Sequence, residues 1–225
     1  MLDAAVELLT DGGFAAVSHR AVANAARLPL AATTYYFRSR DDLIAAAFKL
    51  MVERDLAATR ERFTAQVGRL GARARDGDGA RAGDGDGARA GDGDGNGAGE
   101  DAGAGGIEPR ISARAWAEAL AAALLPRDDT ERRRHLALWE LYLRAGRDPA
   151  LRPLARVWTD RCRETTSELL RLAGYHTTAT AVRLLGAAVD GLEIEAVVET
   201  RPNAGQSMVE VLSRVLEWIR TTEGA

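Results

Sequence analysis

The chain has 225 residues, with 30 lysines and arginines against 33 aspartates and glutamates, for a formal net charge of -3. That is enough for one or two domains with a real core, and the dominance of alanine, leucine and arginine over alternating β-branched runs predicts an all-α protein. The single cysteine excludes an intramolecular disulfide, and three scattered histidines exclude a Cys/His metal cluster, so no metal and no cofactor are expected. No apolar stretch is long enough to span a bilayer, and Met1-Leu2-Asp3 lacks the basic region and apolar run of a signal peptide, so a cytoplasmic protein is expected.

Leu2, Ala5, Val6 and Leu9 recur at helical spacing, and Asp11-Gly12-Gly13 ends this first helix. Ser18 is placed to cap a second short helix, with Val17 as its staple and Val22, Ala23 and Ala26 facing inward. The turn Arg27-Leu28-Pro29 follows. Proline keeps Leu28 extended and itself suits the first position of a third helix, Leu30 to Phe37. Ser39 caps a fourth, with Asp41 and Asp42 in the first turn where they suit the dipole. Leu43, Ile44, Ala47, Phe48, Met51 and Val52 lie along it, and it is expected to continue, mostly polar, to Gly68 or Arg73.

Residues 76 to 106 change character. Asp76 to Gly83 reads Asp-Gly-Asp-Gly-Ala-Arg-Ala-Gly, Asp84 to Gly91 repeats it, and Asp92 to Gly99 is a decayed copy. Nothing here buries apolar surface, so 76–106 reads as a disordered, tolerated insertion. A calcium loop would need a bidentate acid at a fixed offset or flanking hydrophobic strands, and neither is present.

Order is expected to resume near Ile107, and Ile111, Ala115, Trp116, Ala119, Leu120, Ala123 and Leu124 mark a helix ended by Pro126. Asp128 or Thr130 opens the next helix, which carries His135, Leu138, Trp139, Tyr142 and Leu143 to Gly146. A helix from Pro149 to about Leu172 carries Trp158 and Cys162. Two more follow, about Thr178 to Glu199 and Ala204 to Thr222, joined by the turn Arg201-Pro202-Asn203.

Residues 12–40 hold four arginines, one histidine and no acid, within an acidic chain. Two short helices joined by a tight turn, with a local positive field, form a helix-turn-helix suited to DNA phosphate. These residues resemble the DNA-binding domain of the TetR (tetracycline-repressor) family of bacterial transcription regulators. The resemblance lies in Leu-Asp-Ala-Ala-Val-Glu-Leu-Leu and its Gly12-Gly13-Phe14 exit, Val17-Ser18-His19-Arg20-Ala21-Val22-Ala23, Thr34-Tyr35-Tyr36-Phe37 and Ser39-Arg40-Asp41-Asp42-Leu43. It implies that Ser18, His19, Arg20, Tyr35, Tyr36 and Arg40 meet phosphates, and that Leu30, Ala31, Ala32, Thr33 and Thr34 enter the major groove. The chain departs from the family's glycine–aliphatic–serine turn with Arg27-Leu28-Pro29, and Leu30 and Ala31 stand where lysine and glycine are usual. Thr34 stands in place of a common tyrosine, and Tyr36 in place of a histidine. Base reading would then lean on small and apolar contacts to thymine methyls. Family members carry a dozen or so earlier residues, so the first helix reads as truncated: either the true start lies upstream of Met1, or the protein binds DNA more weakly.

The resemblance implies an N-terminal three-helix DNA-binding domain over 1–45 and a helical effector-binding and dimerisation domain over 46–222. In the family the last two helices of each subunit form a four-helix dimer interface. Here their apolar stripes are Leu184, Leu185, Ala188 and Leu192, then Met208, Val211, Leu212, Val215, Leu216 and Ile219, with Gly186 and Gly191 for close approach. The middle helices supply Trp116, His135, Trp139, Tyr142, Trp158 and Cys162 as candidate walls of a pocket for a small apolar or aromatic effector, with Arg144 and Arg161 as further polar candidates. The chain thus reads as a homodimeric repressor that binds a palindromic double-stranded operator and is released by an effector. The alternatives are a helical protein-interaction adaptor without DNA binding, and a helical enzyme, for which no clustered acid, base or metal groups are visible.

Overall fold

The structure, a computed structural model, describes residues 1–81 and 111–222. These residues form helices and no strand, as expected: α1 (Leu2–Ala16), α2 (His19–Ala25), α3 (Leu30–Tyr36), α4 (Arg40–Arg81), α5 (Ala113–Leu124), α6 (Asp129–Arg147), a 3-10 turn at Pro149–Leu151, α7 (Arg152–Leu172), α8 (Ala179–Glu199) and α9 (Ala204–Thr222). No described helix is long and apolar enough to cross a membrane.

Local chemistry sets most of the boundaries. Ser18 Oγ accepts from Ala21 N at 3.1 Å, and Asp128, Ser112 and Thr178 cap α6, α5 and α8 in the same way. At α4 the Ser39 hydroxyl accepts from Asp42 N at 3.0 Å, while Asp42 accepts from Ser39 N at 3.1 Å, a reciprocal capping box. Helical geometry in α1 breaks at Gly13, whose φ of 62° brings its backbone against α6. A Cβ there would lie 2.5 Å from Glu140 Oε2.

Three expectations shift. Pro29 is the N-cap of α3, with ψ 143°, and not its first helical residue. The helix α4 passes Arg73 and enters the first Asp-Gly repeat, ending at Arg81. A helix already nucleated on a packed core extends at a cost of only about 1 kcal/mol per glycine. The remainder of the expected insertion, 82–106, lies outside the described residues. The third shift is in the last two helices, where Leu185, Met208, Leu212, Leu216 and Ile219 are buried inside the chain against α5. They serve the monomer's own core and are not available to a second subunit.

There are two cores, and α4 belongs to both. Its Leu43, Ile44, Phe48 and Met51 pack with Leu9, Phe14 and Val22 of the head and Leu138, Leu141 and Trp158 of the body. Further along, Phe63 joins Trp116, Leu120, Leu170, Leu185, Met208 and Leu212. Each such side chain contributes roughly 1.5–3 kcal/mol on burial. With 42 residues, α4 spans about 63 Å at 1.5 Å per residue and forms a common spine for the two cores.

Candidate functional site

The first site is the outer surface of α2 and α3. The turn between them is closed by Leu28 N donating to Ala23 O at 2.9 Å, and it requires Arg27 to adopt φ 55°. Only glycine takes that left-handed conformation without steric cost. Beyond the turn, α3 turns Leu30, Ala31 and Thr34 outward, while Ala32 is half-buried. Thr33 is not part of the reading face. It is fully buried, and its hydroxyl donates to Leu30 O at 2.8 Å. Tyr35 and Tyr36 project into solvent, 82% and 68% exposed, with their rings edge to face at 5.2 Å.

Arg20, Arg27 and Arg38 are exposed and form no ion pair among the described residues. Arg40 differs. Its Nε donates to Val17 O at 2.6 Å and its Nη2 to Phe14 O, so it ties the start of α4 to the C-terminal end of α1. Those two donors are thereby committed within the protein. Half-buried His19 keeps a buried Nδ1 without a hydrogen-bond partner, and Ser18 is held as the cap of α2.

The second site is a cavity of about 290 Å³ enclosed by α4, α5, α6, α7 and α8. Trp139, Tyr142 and Trp158 form one wall, edge to face at centroid distances of 5.3 Å (Trp139–Trp158) and 5.1 Å (Tyr142–Trp158). His135 and Cys162 also line it, as the sequence suggested. Trp116 does not. It stacks on Phe63 at 5.8 Å in the second core. Arg144 and Arg161 are elsewhere too, Arg144 over the Phe14 ring at 5.2 Å and Arg161 paired with Glu164 at 2.9 Å on the exterior.

The acids of this cavity escaped the sequence reading. His135 of α6 has Nε2 at 3.2 Å from Asp55 Oδ1 of α4, and Nδ1 at 2.7 Å from Glu193 Oε1 of α8, the latter an ion pair without good hydrogen-bond alignment. Burial pulls the imidazole pKa down, but the two carboxylates outweigh it and raise it to about 10. His135 is therefore a cation at neutral pH, clamping three helices together. Burial, and then the carboxylates of Asp190, Glu193 and Asp55, push the Cys162 thiol up to about 12, which keeps it protonated and unreactive. The one available signal was the interruption of the apolar run of α8 by Asp190 and Glu193, Glu193 sharing a face with Val189 and Val197.

Residues 1–47 match the model described as bacterial regulatory proteins, tetR family, and residues 112–218 match the tetracyclin repressor-like C-terminal domain. Among solved structures, the multidrug binding protein EbrR complexed with imidazole is 28% identical over 95% of this chain and 91% of that one, with a TM-score of 0.59. A TetR-family member from Streptomyces coelicolor A3 is 28% identical over 95% of this chain and 94% of that one, at a TM-score of 0.57. A transcriptional regulator from Rhodococcus sp. Rha1 shares the fold at 22% identity, covering 98% of this chain and 94% of that one, with a TM-score of 0.61. No curated protein matches the chain. Both halves of the chain, the reading head and the helical body that encloses the cavity, thus carry the marks of one lineage, and the protein belongs to the TetR family of DNA-binding transcription regulators.

Proposed function

We propose that this regulator is a homodimeric repressor, acting in the cytoplasm, whose α3 helices read two half-sites of a palindromic operator and whose release is triggered by a small aromatic molecule in the cavity. The observation that carries the reading is the set of outward groups on the head. Arg20, Arg27 and Arg38 are exposed cations without ion-pair partners among the described residues, and Tyr35 and Tyr36 are exposed as well. Arginine, tyrosine hydroxyls and helix N-termini are the groups that hold phosphates. Leu30, Ala31 and Thr34 then face bases, where methyl contacts to thymine suit them.

Dimerisation is supported by a second, outward stripe on the last two helices. Leu184 and Val198 of α8 and Val211 and Trp218 of α9 are exposed, and a Cβ at Gly191, on the same face of α8, would meet only open space. This is the surface left for a second copy once the inward stripe is spent on the core, and Ala188, Leu192 and Val215 lie half-buried at its edge. A two-fold pair would present two heads about 34–36 Å apart, or a multiple of that spacing.

The effector reading draws on the aromatic wall and on EbrR, which was crystallised with proflavin, ethidium and malachite green. A ligand can release DNA only through different affinity for two arrangements of the subunits, and α4 and α6, which line the cavity and also pack on α1, are the elements to bias. The test is a titration of the purified protein against its own upstream DNA at several salt concentrations. Specific binding should fall with salt at a log–log slope of about -0.9 per phosphate held. Binding no tighter than to random DNA would reject the operator reading.

A further inference from the structure

We propose that α3 tells bases apart through their C5 methyl groups alone, so that the head accepts 5-methylcytosine in place of thymine at the positions it reads. This rests on the operator reading above and deepens it, from a pair of half-sites to the chemical group recognised in each. The face that α3 turns outward is Leu30, Ala31 and Thr34, with Leu30 half exposed. Leucine and alanine side chains offer no donor and no acceptor. Thr34 has a hydroxyl, but it donates to Ala31 O at 3.2 Å, so its proton is spent within the helix and its oxygen can only accept. Thr33, the neighbouring hydroxyl, is buried and donates to Leu30 O at 2.8 Å.

Reading a purine by paired hydrogen bonds takes arginine or lysine on guanine O6 and N7, or asparagine or glutamine on adenine N6 and N7, and reading cytosine N4 takes a carboxylate. The helix α3 carries none of these, and from Ser18 to Arg38 the sequence has no lysine, glutamine or acid. The other polar groups of the head stand off this face. Exposed Arg20 and Asn24 are on α2, the helix that crosses the backbone in such heads, and Arg27 is in the turn. Tyr35 and Tyr36 close α3 and are given to phosphates above. What an apolar face can detect in the major groove is the one apolar feature of the base edges, the C5 methyl of thymine. Cytosine methylated at C5 presents the same group at the same ring position, and α3 has no free donor that would require thymine O4 beside it.

The experiment is an affinity titration of the full chain against the operator fragment that the titration above defines, in chemically edited forms. Deoxyuridine is placed at each symmetry-related pair of thymines in turn, which removes one methyl per head and keeps the base pair. One buried methyl is worth about fourfold, so a contacted pair should cost about fifteenfold. The 7-deaza purines, which lack the N7 acceptor, should leave affinity unchanged. Cytosine at a sensitive thymine should weaken binding as deoxyuridine does, and 5-methylcytosine there should restore most of it. Thr34→Ser, which keeps the hydroxyl and drops the methyl, and Leu30→Ala should each make the head indifferent to the methyl at one position. Both residues are exposed, so the fold should survive. A loss on 7-deaza substitution as large as that on deoxyuridine would overturn the inference and hand base reading to Arg27 or Asn24, with the operator reading intact. So would 5-methylcytosine that binds no better than cytosine. Binding of no upstream fragment more tightly than random DNA would overturn the operator reading and this inference with it.

Discussion

The head and the body of this regulator use the same residue types in opposite ways. In the head, Arg20, Arg27 and Arg38 stand exposed without partners and two tyrosines point outward. In the body, Arg62 and Arg127 converge on buried Glu131, Arg60 meets Glu168, and His135 sits between Asp55 and Glu193. Charges that are satisfied internally hold helices to one another. Charges left unsatisfied await an external partner, here DNA phosphate. The contrast teaches that the polar groups of the body should register mainly in stability, and those of the head mainly in binding.

The strongest way to break that comparison is His135→Ala. Removing the cation leaves Asp55 and Glu193 facing each other in a buried site, and losing one partner of a buried ion pair costs about 3–5 kcal/mol. Urea denaturation should show a loss of that order. A change below about 1 kcal/mol would mean that the three-helix clamp contributes little. The same group sets a pH dependence. Its folded pKa, about 10, lies above the ordinary histidine value of 6.5, so its stabilisation is complete below about 6.5 and is lost as pH rises through about 10. The melting temperature of the natural protein should decline over that window more steeply than that of His135→Ala.

In the head, Arg20→Ala and Arg38→Ala should each lower operator affinity at low salt and reduce the salt slope by about 1.8, about 0.9 for each of the dimer's two heads, with unfolding free energy unchanged to within about 0.5 kcal/mol. A loss of affinity that leaves the salt slope intact would remove that arginine from the phosphate contacts.

How much of this the sequence disclosed follows from the range of the interactions concerned. Ser18 and Ser39 are legible as caps because a cap bonds a backbone N–H three residues away. The apolar stripes of α8 and α9 are legible as stripes, yet each helix has two apolar sides. Periodicity alone does not say that Met208 and Leu212 turn inward while Val211 and Trp218 stay out. Thr33 presents the same ambiguity within seven residues of α3. Trp116 and Trp139 look alike in sequence, and only packing assigns one to a core and the other to a cavity. The Asp55–His135–Glu193 clamp joins three helices far apart in the chain, and no local pattern encodes it.

The smallest effect is the most informative about the head. Arg27 occupies a left-handed position, φ 55°, where the family's usual residue is glycine. An L-residue there costs roughly 1–2 kcal/mol, partly offset in a glycine variant by the greater entropy of its unfolded chain. Arg27→Gly should therefore stabilise the protein by about 0.5–1 kcal/mol, read from the shift in urea midpoint at constant slope. If Arg27 also holds a phosphate, the same variant should bind operator more weakly despite being more stable, with a shallower salt dependence. Stability gained with affinity unchanged would show that the arginine is merely tolerated in the turn, and would confine the phosphate-facing cations to Arg20 and Arg38.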